Sequence, residues 1–199
     1  MMNIWERLHK IENIETKRIA VLLRHGEREA IPKGALGNDV SLTSIGIAQS
    51  ILLGEQVSCF NLGKLYTSPI RRCVQTAEYI KNGLEKTQHK SEIVLDNYLG
   101  NPGFHIKNAY FAANAYLEYG CVGVYERFSR GENVKGFASI EYLRKQPMKW
   151  LKEKSLENKI TLFVTHDALI THFAFANGLN CYSAENWVHY LDGLIIDLT

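Results

Sequence analysis

A chain of 199 residues, 46% hydrophobic and 22% charged, has the composition of a soluble globular protein with one full core and room for a modest insertion, which leaves too little for two large domains. Its 23 basic and 21 acidic residues are interspersed and leave a net charge of +2, which excludes the basic stripe of a nucleic-acid or anionic-membrane surface. MMNIWERLHKIENIETK has no apolar leader core, no later run approaches a membrane span, and Cys59, Cys73, Cys121 and Cys181 form no CxxC pair, so we expect a cytoplasmic protein with isolated thiols.

Arg18 to Leu23, RIAVLL, reads as a strand buried on both faces that stops at the polar RHGERE. IPKGALGNDVS is a loop, after which Thr43 caps a helix whose apolar face is expected at Ile45, Ala48, Ile51 and Leu52. LGKLYTSP is a second strand running into a turn. PIRRCVQTAEYIKNGLEK then sets Ile70, Cys73, Ala77, Ile80 and Leu84 on one helical stripe, with Ser68 and Pro69 at its cap and first position. EIVLDNYL, ITLFVTHD and GLIIDL complete five strand candidates.

This alternation predicts a single domain over 1–199 of the α/β class, a three-layer α/β/α sandwich with a largely parallel central sheet. The weakly patterned stretch at about 100–136 carries Phe104, Tyr110, Phe111, Tyr116, Tyr119, Tyr125 and Phe128, and reads equally as helical core or as an insertion capping the site.

In such sheets ligands collect beyond the carboxyl ends of the strands, where both RHGERE and THDALI fall. Arg24 and His25 emerge together at one such end, a plausible anion site, and Gly26 leaves room for close backbone approach. A neutral imidazole can attack phosphorus when its other nitrogen donates to a backbone acceptor. His166 and Asp167 end another strand, and Asp167 also suits a helix N-cap. Arg71 and Arg72 share the first turn of their helix, and spacing does not choose between them. His9, His89, His105, His172 and His189 show no metal spacing and read as structural or surface residues, so neither metal nor cofactor is expected.

Together RHG at Arg24 to Gly26, LTSIG at Leu42 to Gly46, SPIRRCVQTA from Ser68 to Ala77 and THD ending at Asp167 resemble the histidine phosphatase superfamily, phosphoglycerate mutase-like and histidine acid phosphatase proteins included. The resemblance implies that His25 is phosphorylated, that Arg24 binds phosphate and that His166 is the second catalytic histidine. It selects Arg72, because the family's second arginine directly precedes the small residue matched by Cys73. RHGER resembles the RHGxR form of the acid phosphatase branch, in which Arg28 also binds phosphate; Glu27 and Glu29 are expected to point away.

One position departs from the family. Where small phosphatases and mutases have DxxLxE, DNYLGN places Asn101 at the glutamate. The acid phosphatase branch instead uses the aspartate after its second histidine, which makes Asp167 the expected general acid and Asp96 the alternative. The implied reaction is metal-independent hydrolysis of a small phosphomonoester. A mutase, or a phosphate- or phosphopeptide-binding module without turnover, are the rival readings.

Overall fold

The computed structural model describes residues 3–157, 159–179 and 182–199; Cys181 lies outside them. Strand β1 (Ile19–Arg24) explains why its sequence reads as continuous apolar rather than alternating. Ala20 and Leu22 enter one core with Phe163, Leu169 and Phe173, while Ile19, Val21 and Leu23 enter another with Leu65, Ile80 and Leu162. Each fully buried leucine here contributes roughly 1.5–3 kcal/mol.

With β2 (Leu62–Thr67), β3 (Ile93–Leu95), β4 (Ile160–Thr165) and β5 (Gly193–Asp197), β1 forms a five-stranded sheet of order β3-β2-β4-β1-β5. The first four strands run parallel and β5 pairs antiparallel to β1. Helices α2 (Ser44–Val57) and α3 (Arg71–Lys86) cover one face, beside the short α1 (Ile4–His9). The other face carries α5 (Ile140–Lys154) and α6 (Asp167–Ala176), with α4 (Ala109–Ser129) against α6. The expected three-layer sandwich with a mostly parallel sheet is what forms. No helix among the described residues is long and apolar enough to cross a membrane.

Two local expectations are corrected. Thr43 caps α2 as foreseen, its hydroxyl accepting from Gly46 N at 3.0 Å, but the helix buries Gly46, Ser50, Leu53, Gly54 and Val57. Ile45 and Leu52, expected inside, are 55% and 51% exposed. The reason is backbone approach: a Cβ on Gly54 would stand 2.1 Å from Ile80 O, and one on Gly83 2.1 Å from Ile51 O. Helices α2 and α3 thus meet through glycines, which a count of large apolar residues overlooks. Helix α3 starts at Arg71 with Ile70 as its N-cap residue, two positions after the expected start. Cys73, Ala77, Ile80 and Leu84 form its buried stripe as expected, while Ile70 is only half-buried.

The 100–136 stretch combines its two readings. Helix α4 bends at Gly120, where φ is 67°. Tyr125 and Phe128 pack around His172 and Phe175 of the neighbouring α6, whereas Ala113, Tyr116, Leu117 and Cys121 line a cavity.

Candidate active site

Parallel pairing of β1 with β4 sets Arg24 opposite Thr165, so the next residues, His25 and His166, leave the sheet side by side with ring centroids 5.6 Å apart. His25 N donates to Thr165 O at 3.0 Å, continuing the ladder one residue past the strand. The His25 ring is buried, and its Nδ1 donates to Gly26 O at 2.8 Å. That bond fixes the tautomer and leaves a lone pair on Nε2, which accepts from Arg72 Nε at 3.0 Å.

Arg72 ties the site together. Its Nη2 donates to His166 Nδ1 at 3.1 Å and its Nη1 to Gly37 O at 2.6 Å. Since arginine only donates, His166 Nδ1 is the acceptor and its Nε2 donates to Ser68 Oγ, 3.0 Å away. Arg72 is 9% exposed while Arg71 faces solvent, and the adjacent arginines therefore separate by burial.

Burial and the Arg72 charge hold the His25 pKa down to about 3, and the same two causes keep His166 well below the usual histidine range. Both rings are neutral at ordinary pH. A neutral imidazole with its Nδ1 proton anchored is the form that attacks an electrophile through Nε2.

Arg24 and Asp167 form a second unit. Arg24 Nη2 lies 2.9 Å from Asp167 Oδ2, Nη1 donates to Val188 O at 2.6 Å, and the guanidinium sits 4.2 Å over the Tyr190 ring. Asp167 also accepts from Trp187 Nε1 at 3.1 Å and from Ala168 N at 2.9 Å. Burial alone would push its carboxyl up, but Arg24, the Trp187 indole and the other nearby donors bring it to about 2. Asp167 is the first residue of α6 rather than its cap; the cap position belongs to His166.

Glycines let these pieces meet. A Cβ on Gly26 would lie 3.0 Å from Ser50 Oγ, one on Gly46 2.1 Å from Glu27 O, and one on Gly100 2.8 Å from His166 Nε2. Gly26 N donates to Thr76 Oγ1 at 3.0 Å, which ties the loop after His25 to α3.

Of the remaining sequence candidates, Arg28 bridges to Leu42 and donates through Nη1 to Glu29 O at 2.7 Å. Glu27 accepts from Thr43 Oγ1 at 2.9 Å. Asp96 accepts from Tyr98 N at 2.9 Å as the cap of the Asn97–Leu99 turn, and it is not among the described residues lining the cavity, whereas Asn101 is. His105 and His172, read as structural or surface, are both buried; His105 also lines the cavity, its Nε2 bonded to Tyr116 Oη at 3.0 Å.

Sequence reasoning missed Ser68, Trp187 and Tyr190 as site residues. Ser68 carried a signal that was read as a helix cap; its hydroxyl does accept from Ile70 N at 3.2 Å but also meets His166. Trp187 and Tyr190 lie in irregular chain between α6 and β5, without periodicity to mark them.

A cavity of about 370 Å³ opens from this cluster, with Arg72, His166 and Asp167 in its wall. Anions held beside these donors would meet two cations and two neutral imidazoles, an arrangement able to receive the oxygens of a transferring phosphoryl group.

Residues 20–113 match the histidine phosphatase superfamily (branch 1). Over 78 residues the chain is 33% identical to a probable fructose-2,6-bisphosphatase of Schizosaccharomyces pombe, covering 37% of this chain and 19% of that protein. Over 86 residues it is 29% identical to a 2,3-bisphosphoglycerate-dependent phosphoglycerate mutase of Thermoplasma acidophilum, covering 42% of this chain and 43% of the other. It thus spans less than half the length of either relative.

Among solved structures, the phosphoserine phosphatase of Entamoeba histolytica in complex with 3-phosphoglyceric acid superposes with a TM-score of 0.57 at 21% identity, covering 91% of this chain and 95% of that one. A mycobacterial glucosyl-3-phosphoglycerate phosphatase gives 0.57 at 16% identity, covering 87% of each chain. At these identities the likeness concerns the fold.

Over residues 20–113 the match is to branch 1, where RHGER suggested the acid phosphatase branch; THD lies outside the matched residues. The similar proteins are a bisphosphatase and a mutase, not acid phosphatases, so Arg28 and Asp167 must be judged on position and chemistry alone. The matched segment holds Arg24, His25, Arg28 and Arg72 and stops before His166, which the parallel β1–β4 pairing returns to them; over residues 20–113 the chain is thus similar to the histidine phosphatase superfamily.

Proposed function

We propose that this protein hydrolyses a small phosphomonoester by way of a phosphohistidine on His25. The observation that carries the reading is the orientation of the His25 ring: Nδ1–H is anchored on Gly26 O, and the Nε2 lone pair faces Arg72. In the forward step Nε2 forms a bond to phosphorus as the bond from phosphorus to the ester oxygen breaks. Arg24, Arg72 and His166 stabilise the charge on the three equatorial oxygens, with Arg28 at the outer edge of the site and Gly26 supplying the close backbone. Water then cleaves the phosphorus–nitrogen bond and releases phosphate.

The departing alkoxide needs a proton, and Asp167, next to His166, is the carboxyl group among the described residues lining the cavity. In the free site it is an ion-paired carboxylate. A phosphate taking Arg24 removes that partner and brings negative charge close, and both changes raise the affinity of Asp167 for a proton. The monoanion of the ester brings one in, since its second ionisation lies near pH ~6. This assigns Asp167 as proton donor without a metal or cofactor.

A panel of phosphorylated metabolites assayed in the presence of EDTA tests the reading. Release of inorganic phosphate undiminished by EDTA supports it. Absence of turnover across the panel, with phosphate still bound, points to a binding module.

A further inference from the structure

The wall of the cavity beyond the phosphate end is apolar and carries little charge. Ile31, Ile70, Pro102, Ile106, Ala113 and Leu117 form much of it. Among the described lining residues the charged side chains are Arg72, at the reacting end, and Asp167, already paired with Arg24. Of the cations on neighbouring segments, Arg28 donates to Glu29 O and Lys33 is exposed on the loop between Ile31 and Ala35. Lys107 lies 3.1 Å over the Tyr142 ring, and Arg127 and Arg130 both pair with Glu132.

We propose that the cavity selects phosphomonoesters whose organic part is apolar and bears no second negative charge, an inference that rests on the phosphatase reading above. A second phosphate or a carboxylate would leave water for an aliphatic wall whose described lining residues add no cation to Arg72, and a buried unpaired anion is far more costly than the contacts it displaces. An alkyl or aryl group meets matching surface instead. At about 370 Å³ the space takes a ring-sized group beside the phosphate. Leu36 and Leu117, 41% and 50% exposed, extend the apolar surface at the cavity wall. Asn38, Asn101 and the Tyr116 hydroxyl add neutral hydrogen-bonding groups, suited to a hydroxyl on the organic part.

The test compares benzyl phosphate with para-carboxybenzyl phosphate, two esters with similar leaving groups that differ by one carboxylate. It measures kcat/KM for the esters and Kd for the two corresponding non-hydrolysable phosphonates by calorimetry. The uncharged member is expected to win by at least ~100-fold in both measurements. Leu117→Arg, at a half-exposed position, should narrow the gap by at least ~10-fold through a gain on the carboxylated member. Values within about threefold of each other in the wild type, or no binding of either phosphonate, overturn the proposal. Selective binding of the benzyl phosphonate without turnover of either ester supports the cavity's preference while removing the phosphatase reading.

Discussion

The carboxylate of Asp167 lies 2.9 Å from Arg24 Nη2, so the proposed proton donor and a proposed phosphate ligand neutralise each other in the free site. On the proposed mechanism, arrival of a phosphate would dissolve that pair and turn a carboxylate held near 2 into a group able to carry a proton.

The consequence for catalysis depends on the leaving group. Asp167→Asn keeps one oxygen for Ala168 N, loses the Oδ2 acceptor that serves the Trp187 indole and Arg24, and cannot deliver a carboxyl proton. Turnover of alkyl phosphates should fall by about 10²- to 10⁴-fold while aryl phosphates with stable leaving phenolates are largely spared in the phosphorylation step. Wild-type kcat/KM on an alkyl phosphate should also decline as pH rises through the ester's second ionisation near ~6. Single-turnover rates on matched alkyl and aryl esters check this, and equal slowing of both would make Asp167 a positioning residue.

Replacing Arg72 by Ala removes the donor to both histidines, and activity should drop by roughly two orders of magnitude or more. Arg71→Ala, at an exposed neighbouring position, should leave kcat/KM within about threefold of wild type. Steady-state kinetics on one substrate rank the two. The reverse order would mean that the buried arginine is structural and its exposed neighbour binds phosphate.

Four buried imidazoles tie stability to pH. Burial lowers His25 to about 3 and His172 to about 4, and also lowers His105 and His166 from the unfolded value of 6.5. Below that value the unfolded chain takes up protons that the folded protein refuses until the lower pKa is reached. Stability is therefore fully present above about pH 6.5 and is lost as pH falls toward 4, by up to ~1.4 kcal/mol per pH unit for each such histidine. Urea midpoints at pH 7 and pH 5 measure the effect. An unchanged midpoint would contradict the buried, neutral state of these rings.

Much of this was legible before any coordinates. The apolar run ending in Arg24-His25-Gly26 specifies a buried strand with chemistry at its tip, and THD repeats the pattern at Thr165-His166-Asp167. Parallel pairing turns the two signals into one site. The outward face of α2 was not legible, because Gly46 and Gly54 bury backbone rather than bulk and leave Ile45 and Leu52 outside. Nor were Trp187 and Tyr190, which reach Asp167 and Arg24 from irregular chain and belong to no periodic pattern. Ser68 shows a third kind of failure: a hydroxyl before a helix suits capping, and only its contact with His166 Nε2 shows the second use.

The central claim is that phosphate passes through His25 Nε2. Enzyme quenched in acid during turnover of a ³²P-labelled ester, then digested and mapped, should carry an acid-labile phosphate on the peptide containing His25, and His25→Ala should lose both the label and the activity while keeping its fold by circular dichroism. A folded His25→Ala enzyme that still turns over within about tenfold of wild type, or a label recovered on another residue, would contradict the account.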